Sequence, residues 1–280
     1  MPKLAANLSF LFQELPFLDR FGAAAEAGFR GVECLFPYDT PAAAIAEQLE
    51  RHRLAQVLLN LPPGDMAAGE RGLAALPGRA ADFMTALDTA LAYARATGCR
   101  RLHALSGVWP ADRPKEEGEA ALVANLRRAA DRVAADGITL LIEPINPRDV
   151  PGYFLNTTRQ ALAILDRVAR DNVKLQLDLY HCQIMEGDLA TRLGHLAGRY
   201  AHIQIAGVPD RHEPDSGEVN YAYLLDLLDT LGYDGWVGCE YRPAAGTVAG
   251  LGWARRWGVG SQPLSRTAGE GGTQREALGG

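Results

Sequence analysis

Eight times along this chain a short apolar run is followed by a longer amphipathic stretch. The short runs cover residues 4–10, 31–36, 56–61, 101–107, 139–145, 173–181, 200–208 and 235–243. The stretches between them, such as 79–98 and 116–136, are rich in Ala, Leu and Arg. Strand alternating with helix demands a parallel sheet, because a parallel pair needs a crossover that a helix supplies. Eight such units with no second composition regime predict one α/β domain over residues 1–257, a single (β/α)8 TIM barrel. Gly28, Gly98, Gly137 and Gly232 fall where helices should end. An open doubly wound sheet would carry a Gly-rich first turn, and NLSFLFQELP contains no glycine.

The length of 280 residues suits a barrel. The net charge of −6 argues against a nucleic-acid footprint, which needs a basic face. No apolar run approaches the roughly 18 residues of a membrane span, and MPKLAANLSFLF reads as a strand and not as a signal peptide. Cys34, Cys99, Cys182 and Cys239 form no CxxC pair, which points to a reducing, cytoplasmic setting. From residue 258 the chain holds seven glycines in 23 residues, and 258–280 is expected to be a disordered tail.

Barrel chemistry gathers at the C-terminal ends of the strands. Glu143 in LLIEPI and Glu240 in GWVGCEYRP lie near the ends of two such runs. A carboxylate there is costly to bury unless something pairs with it or uses it. A facing pair can take a proton from one carbon and return one to its neighbour. Strand parity places Gln176 and Asp178 opposite Leu175 and Leu177, Gln204 opposite Ile203 and Ile205, and Glu240 opposite Cys239 and Tyr241. Glu143, Asp178, Gln204 and Glu240 would then point inward at similar height. Three carboxylates and an amide oxygen are hard donors that suit Mg²⁺ or Mn²⁺.

The segments AANLSFLF, GVECLFPYD, NLPPGDMAAGERG, LIEPIN, QLDLYHCQIMEGDL, AHIQIAGVPDRHEPDSGEVNY and GWVGCEYRP resemble the hydroxypyruvate isomerase family of xylose-isomerase-like barrels. The resemblance runs from about residue 3 to residue 257. It implies an aldose–ketose type isomerisation of a small oxo-hydroxy acid, with Glu143 and Glu240 as the catalytic pair. Related sugar isomerases and epimerases hold a divalent ion through Glu, Asp, His and Glu. The matching positions here are Glu143, Asp178, Gln204 and Glu240, and the glutamine leaves a dispensable ion as an alternative. The stretch AGVPDRHEPDSGEVNY is closer to the branch that converts 2-oxo-tetronate to 3-oxo-tetronate than to the branch acting on hydroxypyruvate.

A substrate of either kind carries a carboxylate, and Arg71, Arg211 and His212 are its candidate partners. His181 is a candidate for a substrate hydroxyl. The expected partner is a small anionic substrate, with neither nucleic acid nor membrane, and self-association stays open. Three other readings compete. A sugar epimerase would use the same glutamate pair and differ in product. A non-catalytic sugar-acid binding barrel has no evident reason to place an anion between two glutamates. A barrel endonuclease would need many more strand-end histidines than this chain offers among its six.

Overall fold

The computed structural model describes residues 1–260. Its eight strands are β1 (Lys3–Asn7), β2 (Gly31–Cys34), β3 (Ala55–Asn60), β4 (Arg101–His103), β5 (Thr139–Ile142), β6 (Val173–Asp178), β7 (Tyr200–Ile205) and β8 (Trp236–Cys239). They pair in parallel, in sequence order, and β1 pairs with β8 to close a barrel. The predicted (β/α)8 architecture is the observed one.

Every strand but β3 is shorter than its apolar run. Sequence periodicity continues past the last ladder hydrogen bond, so the runs overreach into the loops. His181, expected within a strand, lies in a helix.

The crossovers are α1 (Asp19–Glu26), α2 (Ala42–His52), α3 (Ala80–Thr97), α4 (Lys115–Val133), α5 (Thr158–Val168), α6 (Leu179–Met185), α7 (Leu189–His195) and α8 (Tyr221–Thr230). Two of them, α6 and α7, share the link from β6 to β7. The four glycines assigned to helix ends all take positive φ, from 63° at Gly137 to 100° at Gly28. This conformation carries little penalty only for a residue without Cβ.

The main apolar core lies between the sheet and the helices, with Phe21, Phe83, Leu87, Leu126 and Ile164 fully or almost fully buried. A separate small cluster of Ala5, Val57, Leu58 and Leu141 is also buried. The barrel interior toward the mouth is polar. Glu33 of β2, wholly buried, accepts hydrogen bonds from Asn7 of β1 (2.9 Å), Gln204 of β7 (2.8 Å) and Nε2 of His202 (2.7 Å). Gln176 of β6 donates to Gln204 at 2.6 Å. These bonds reach across the barrel and satisfy groups that would otherwise be costly to bury.

Residues 258–260, assigned to the tail by composition, pack on the barrel. Val259 is buried, and the Gly260 N–H donates to the Ala27 carbonyl at 2.7 Å. The rest of the expected tail lies outside the described residues. No described helix is long and apolar enough to cross a membrane.

Gly238 of β8 sits against this network. A Cβ there would collide with the Glu33 carboxylate, which three hydrogen bonds hold in place. Gly238→Ala is expected to cost about 1–3 kcal/mol, as overpacking of a filled interior does. Thermal or denaturant melts of the variant against wild type measure it, and an unchanged midpoint contradicts the account.

Candidate active site

Both glutamates stand one residue beyond a strand, Glu143 after β5 and Glu240 after β8. Pro144 has no N–H to continue the ladder and keeps Glu143 extended. The Glu240 N–H still reaches the Ile205 carbonyl of β7 at 3.1 Å. Asp178 closes β6 and caps α6 through Oδ1, which accepts the Tyr180 N–H at 2.8 Å. One turn into α6, His181 returns to the same side, its Nε2 3.6 Å from Asp178 Oδ2 and 4.0 Å from Glu143 Oε1.

Arg211 comes from the loop after β7, in the left-handed region at φ 58°. A non-glycine residue holds that conformation only where its surroundings impose it, and such residues concentrate at functional sites. Its guanidinium is sandwiched between the rings of Phe10 and Tyr180. It pairs with Glu240 at 2.8 Å and Asp149 at 2.8 Å, and lies 3.8 Å from Asp178. One continuous chain therefore links Glu240, Arg211, Asp178, His181 and Glu143.

Supporting side chains surround it. Asn7 donates through one nitrogen to both Glu33 and Glu240, at 2.9 and 3.0 Å, while its Oδ1 accepts the Ser9 N–H. His103 Nδ1 lies 3.5 Å from Glu143 Oε2.

Electrostatics follow from burial. Glu143 and Glu240 are only 4% and 6% exposed. Burial first, then the charges of Glu240 and Asp178, push the Glu143 carboxyl well above the carboxylate range. Burial also raises Glu240, with Arg211 opposing it. Asp178 rises to about 6 for the same reason, again against Arg211. Burial lowers His103 to about 3 and His181 well below its usual value, so both rings are neutral. Burial alone would lower Arg211, but Glu240, Asp178 and Asp149 outweigh it and hold the cation.

The site bears on the expected residues unequally. Glu143, Asp178, His181, Arg211 and Glu240 come together. The Gln204 amide is engaged elsewhere: Gln176 donates to its oxygen and its nitrogen donates to Glu33. Arg71 turns back on its own loop, donating to the Met66 carbonyl at 3.1 Å and to the Glu70 carbonyl at 2.6 Å. His212 meets the Arg242 carbonyl through Nδ1 at 2.8 Å. Neither is bonded to the carboxylate cluster. Asn7, Glu33, His103 and Asn146 are polar residues at or near strand ends to which the sequence assigns no role, and Asp149 is a loop residue beyond them. Of these, Glu33 inside the buried run GVEC carried a readable signal, a carboxylate with no solvent to face.

Part of this donor set suits a hard cation. Glu143 Oε1 and Asp178 Oδ2 are buried without a hydrogen-bond partner, and with His181 Nε2 they lie within 4.8 Å of one another. Two unpartnered anionic oxygens fit Mg²⁺ or Mn²⁺. The expected set of four does not converge, since Glu240 is held by Arg211 and Gln204 by its neighbours. A cavity of about 680 Å³ opens beside the cluster, lined by Ser9, Phe10, Phe36, Met66 and Arg242. It does not include either glutamate.

The chain matches the xylose isomerase-like TIM barrel family over residues 21–257. It belongs to that family. It is 56% identical to a 2-oxo-tetronate isomerase of Cupriavidus necator, covering 91% of this chain and 98% of that one. It is 48% identical to a hydroxypyruvate isomerase of Escherichia coli, over 90% and 98%. A solved structure described as an AP endonuclease, family 2, from Brucella melitensis is 53% identical, with a TM-score of 0.90 over 92% of this chain and 99% of that one.

The raised carboxyl of Glu143 has a sign in stability. Its folded pKa exceeds its unfolded one, so its contribution is complete at low pH and is lost as pH rises through the folded value. Glu143→Gln is therefore expected to stabilise the fold by about 1–2 kcal/mol near pH 8. The gain should shrink toward about pH 3, below the ordinary carboxylate range, where wild-type Glu143 keeps its proton in both states. Urea melts at the two pH values check it, and a less stable variant at pH 8 contradicts it.

Proposed function

We propose that this chain interconverts 2-oxo-tetronate and 3-oxo-tetronate, with Glu143 and Glu240 as the proton-transfer pair. It is an isomerase of the hydroxypyruvate isomerase family. The observation that carries the mechanism is the chain of contacts joining the two glutamates through Arg211, Asp178 and His181. The four-carbon acid is favoured by the higher identity to the 2-oxo-tetronate isomerase and by the stretch AGVPDRHEPDSGEVNY.

In 2-oxo-tetronate the hydrogen on C3 is acidic because the C2 ketone stabilises the resulting carbanion as an enediolate. One glutamate removes that proton, and the other protonates C2 from the enediolate. The proton on the C3 hydroxyl passes to the C2 oxygen, so the ketone moves to C3 and the atoms balance. Hydroxypyruvate would follow the same course and give 2-hydroxy-3-oxopropanoate. Raised pKa values suit this work, since one carboxyl must hold a proton near neutral pH while the other is ionised. The two roles exchange with the direction of reaction.

Arg211 keeps the buried acidic groups in place and supplies positive charge where an anionic substrate must enter. Arg242, on the neighbouring cavity, is the second candidate for the substrate carboxylate. Where a cation is bound, Glu143 and Asp178 would hold it, and it would stabilise negative charge on the enediolate oxygens.

Endonuclease chemistry is not favoured. The net charge is −6, and the cluster with metal-ligand geometry among the described residues contains a single histidine. The four free cysteines are all buried, which suits a reducing cytoplasm.

Glu143→Gln and Glu240→Gln are each expected to lower turnover on the order of 10²–10⁴-fold, the usual contribution of a general acid or base. Incubation with each acid in D₂O, with and without EDTA, followed by NMR, reads the product, the proton exchange and the metal dependence. Substantial activity in both variants sinks the assignment of the pair.

A further inference from the structure

Asn146, in the loop after β5, touches His181, and its amide is not free to turn over. Its Oδ1 accepts the Asp149 backbone N–H at 2.9 Å. Its Nδ2 therefore faces His181 Nδ1 at 2.6 Å. A reversed amide would set two donors, its own and that of Asp149, against each other. A ring nitrogen that faces a donor must offer its lone pair. The neutral ring then carries its proton on Nε2. That nitrogen is the one nearest Asp178 Oδ2, at 3.6 Å, and Glu143 Oε1, at 4.0 Å, two buried oxygens with no hydrogen-bond partner.

We propose that Asn146 is a positioning residue that fixes His181 as the Nε2–H tautomer, so that His181 enters the site as a hydrogen-bond donor and not as a metal ligand. A ligating imidazole needs its lone pair toward the ion, and its second nitrogen then donates outward to a carboxylate or carbonyl. Here the arrangement is inverted. The outward nitrogen accepts, and the inward one holds the proton. Any cation is thereby left to oxygen donors, while one N–H points to where substrate oxygens would lie. A neutral N–H in a buried site can polarise a carbonyl and hold the negative charge that develops on it. Only the kinetic part of this inference rests on the reaction proposed above.

The test begins with wild type. Long-range ¹H–¹⁵N spectra of protein labelled at histidine, with His181 assigned by its loss in His181→Gln, are expected to show a proton on Nε2 and none on Nδ1. Addition of Mg²⁺ should leave that proton in place. A proton on Nδ1, or loss of the Nε2 proton with Mg²⁺, overturns the proposal whether or not any Asn146 variant folds. Asn146→Asp keeps an acceptor for the Asp149 N–H but presents an oxygen to the ring. It should move the proton to Nδ1 and lower kcat on the order of 10–100-fold, with a smaller change in KM. A moved proton with unchanged kcat overturns the catalytic role. Wild-type protein inactive on both acids would count against the isomerase reading and leave the tautomer result standing.

Discussion

A carboxylate removed from water must find either hydrogen-bond donors or a counter-charge, or else keep its proton. This barrel buries Glu33, Glu143, Asp178 and Glu240 in one region, and uses all three solutions. Glu33 is held by three donors from two strands, β1 and β7. Glu240 and Asp178 share the Arg211 guanidinium. Glu143, farthest along that chain of contacts, has an oxygen with no partner, and its carboxyl tends to hold a proton. One of the two groups proposed for proton transfer is thus the one the scaffold satisfies least. Arg211 in turn depends on the stacked rings of Phe10 and Tyr180 and on Asp149 for its position.

The fold was legible because its signal is repeated eight times and needs only local periodicity. Parity also transferred well. Gln204 is opposite Asp178 on the adjacent strand and Gly238 is opposite Gln204, and the polar residues do line the interior. Parity cannot report which polar residue binds which. Gln204 has the right orientation and nearly the right height. Its amide is spent on Gln176 and Glu33, a fact that depends on strands far apart in sequence. The overlong sixth run hid the start of α6, and with it the turn that brings His181 back beside Asp178.

The loop residues were the least readable. Arg71, Arg211 and His212 look alike in sequence, as basic residue types after strands. Only Arg211 folds over the mouth, and what distinguishes it is a left-handed backbone conformation and two aromatic faces supplied by other elements. Asn146 was visible in LIEPIN, but its role depends on the direction of an amide. That direction is set by one backbone N–H three residues later.

Asn7 shows a different kind of consequence. Its single amide nitrogen has two hydrogens, one directed to Glu33 and one to Glu240. The first bond belongs to the filling of the barrel and the second to the pair proposed for proton transfer. Architecture and chemistry thus share an atom, and selection acting on either would constrain the other. A barrel organised this way has little freedom to change its reaction from within. Variation in what it accepts would have to come from the loops above, where the cavity lined by Phe10, Met66 and Arg242 lies.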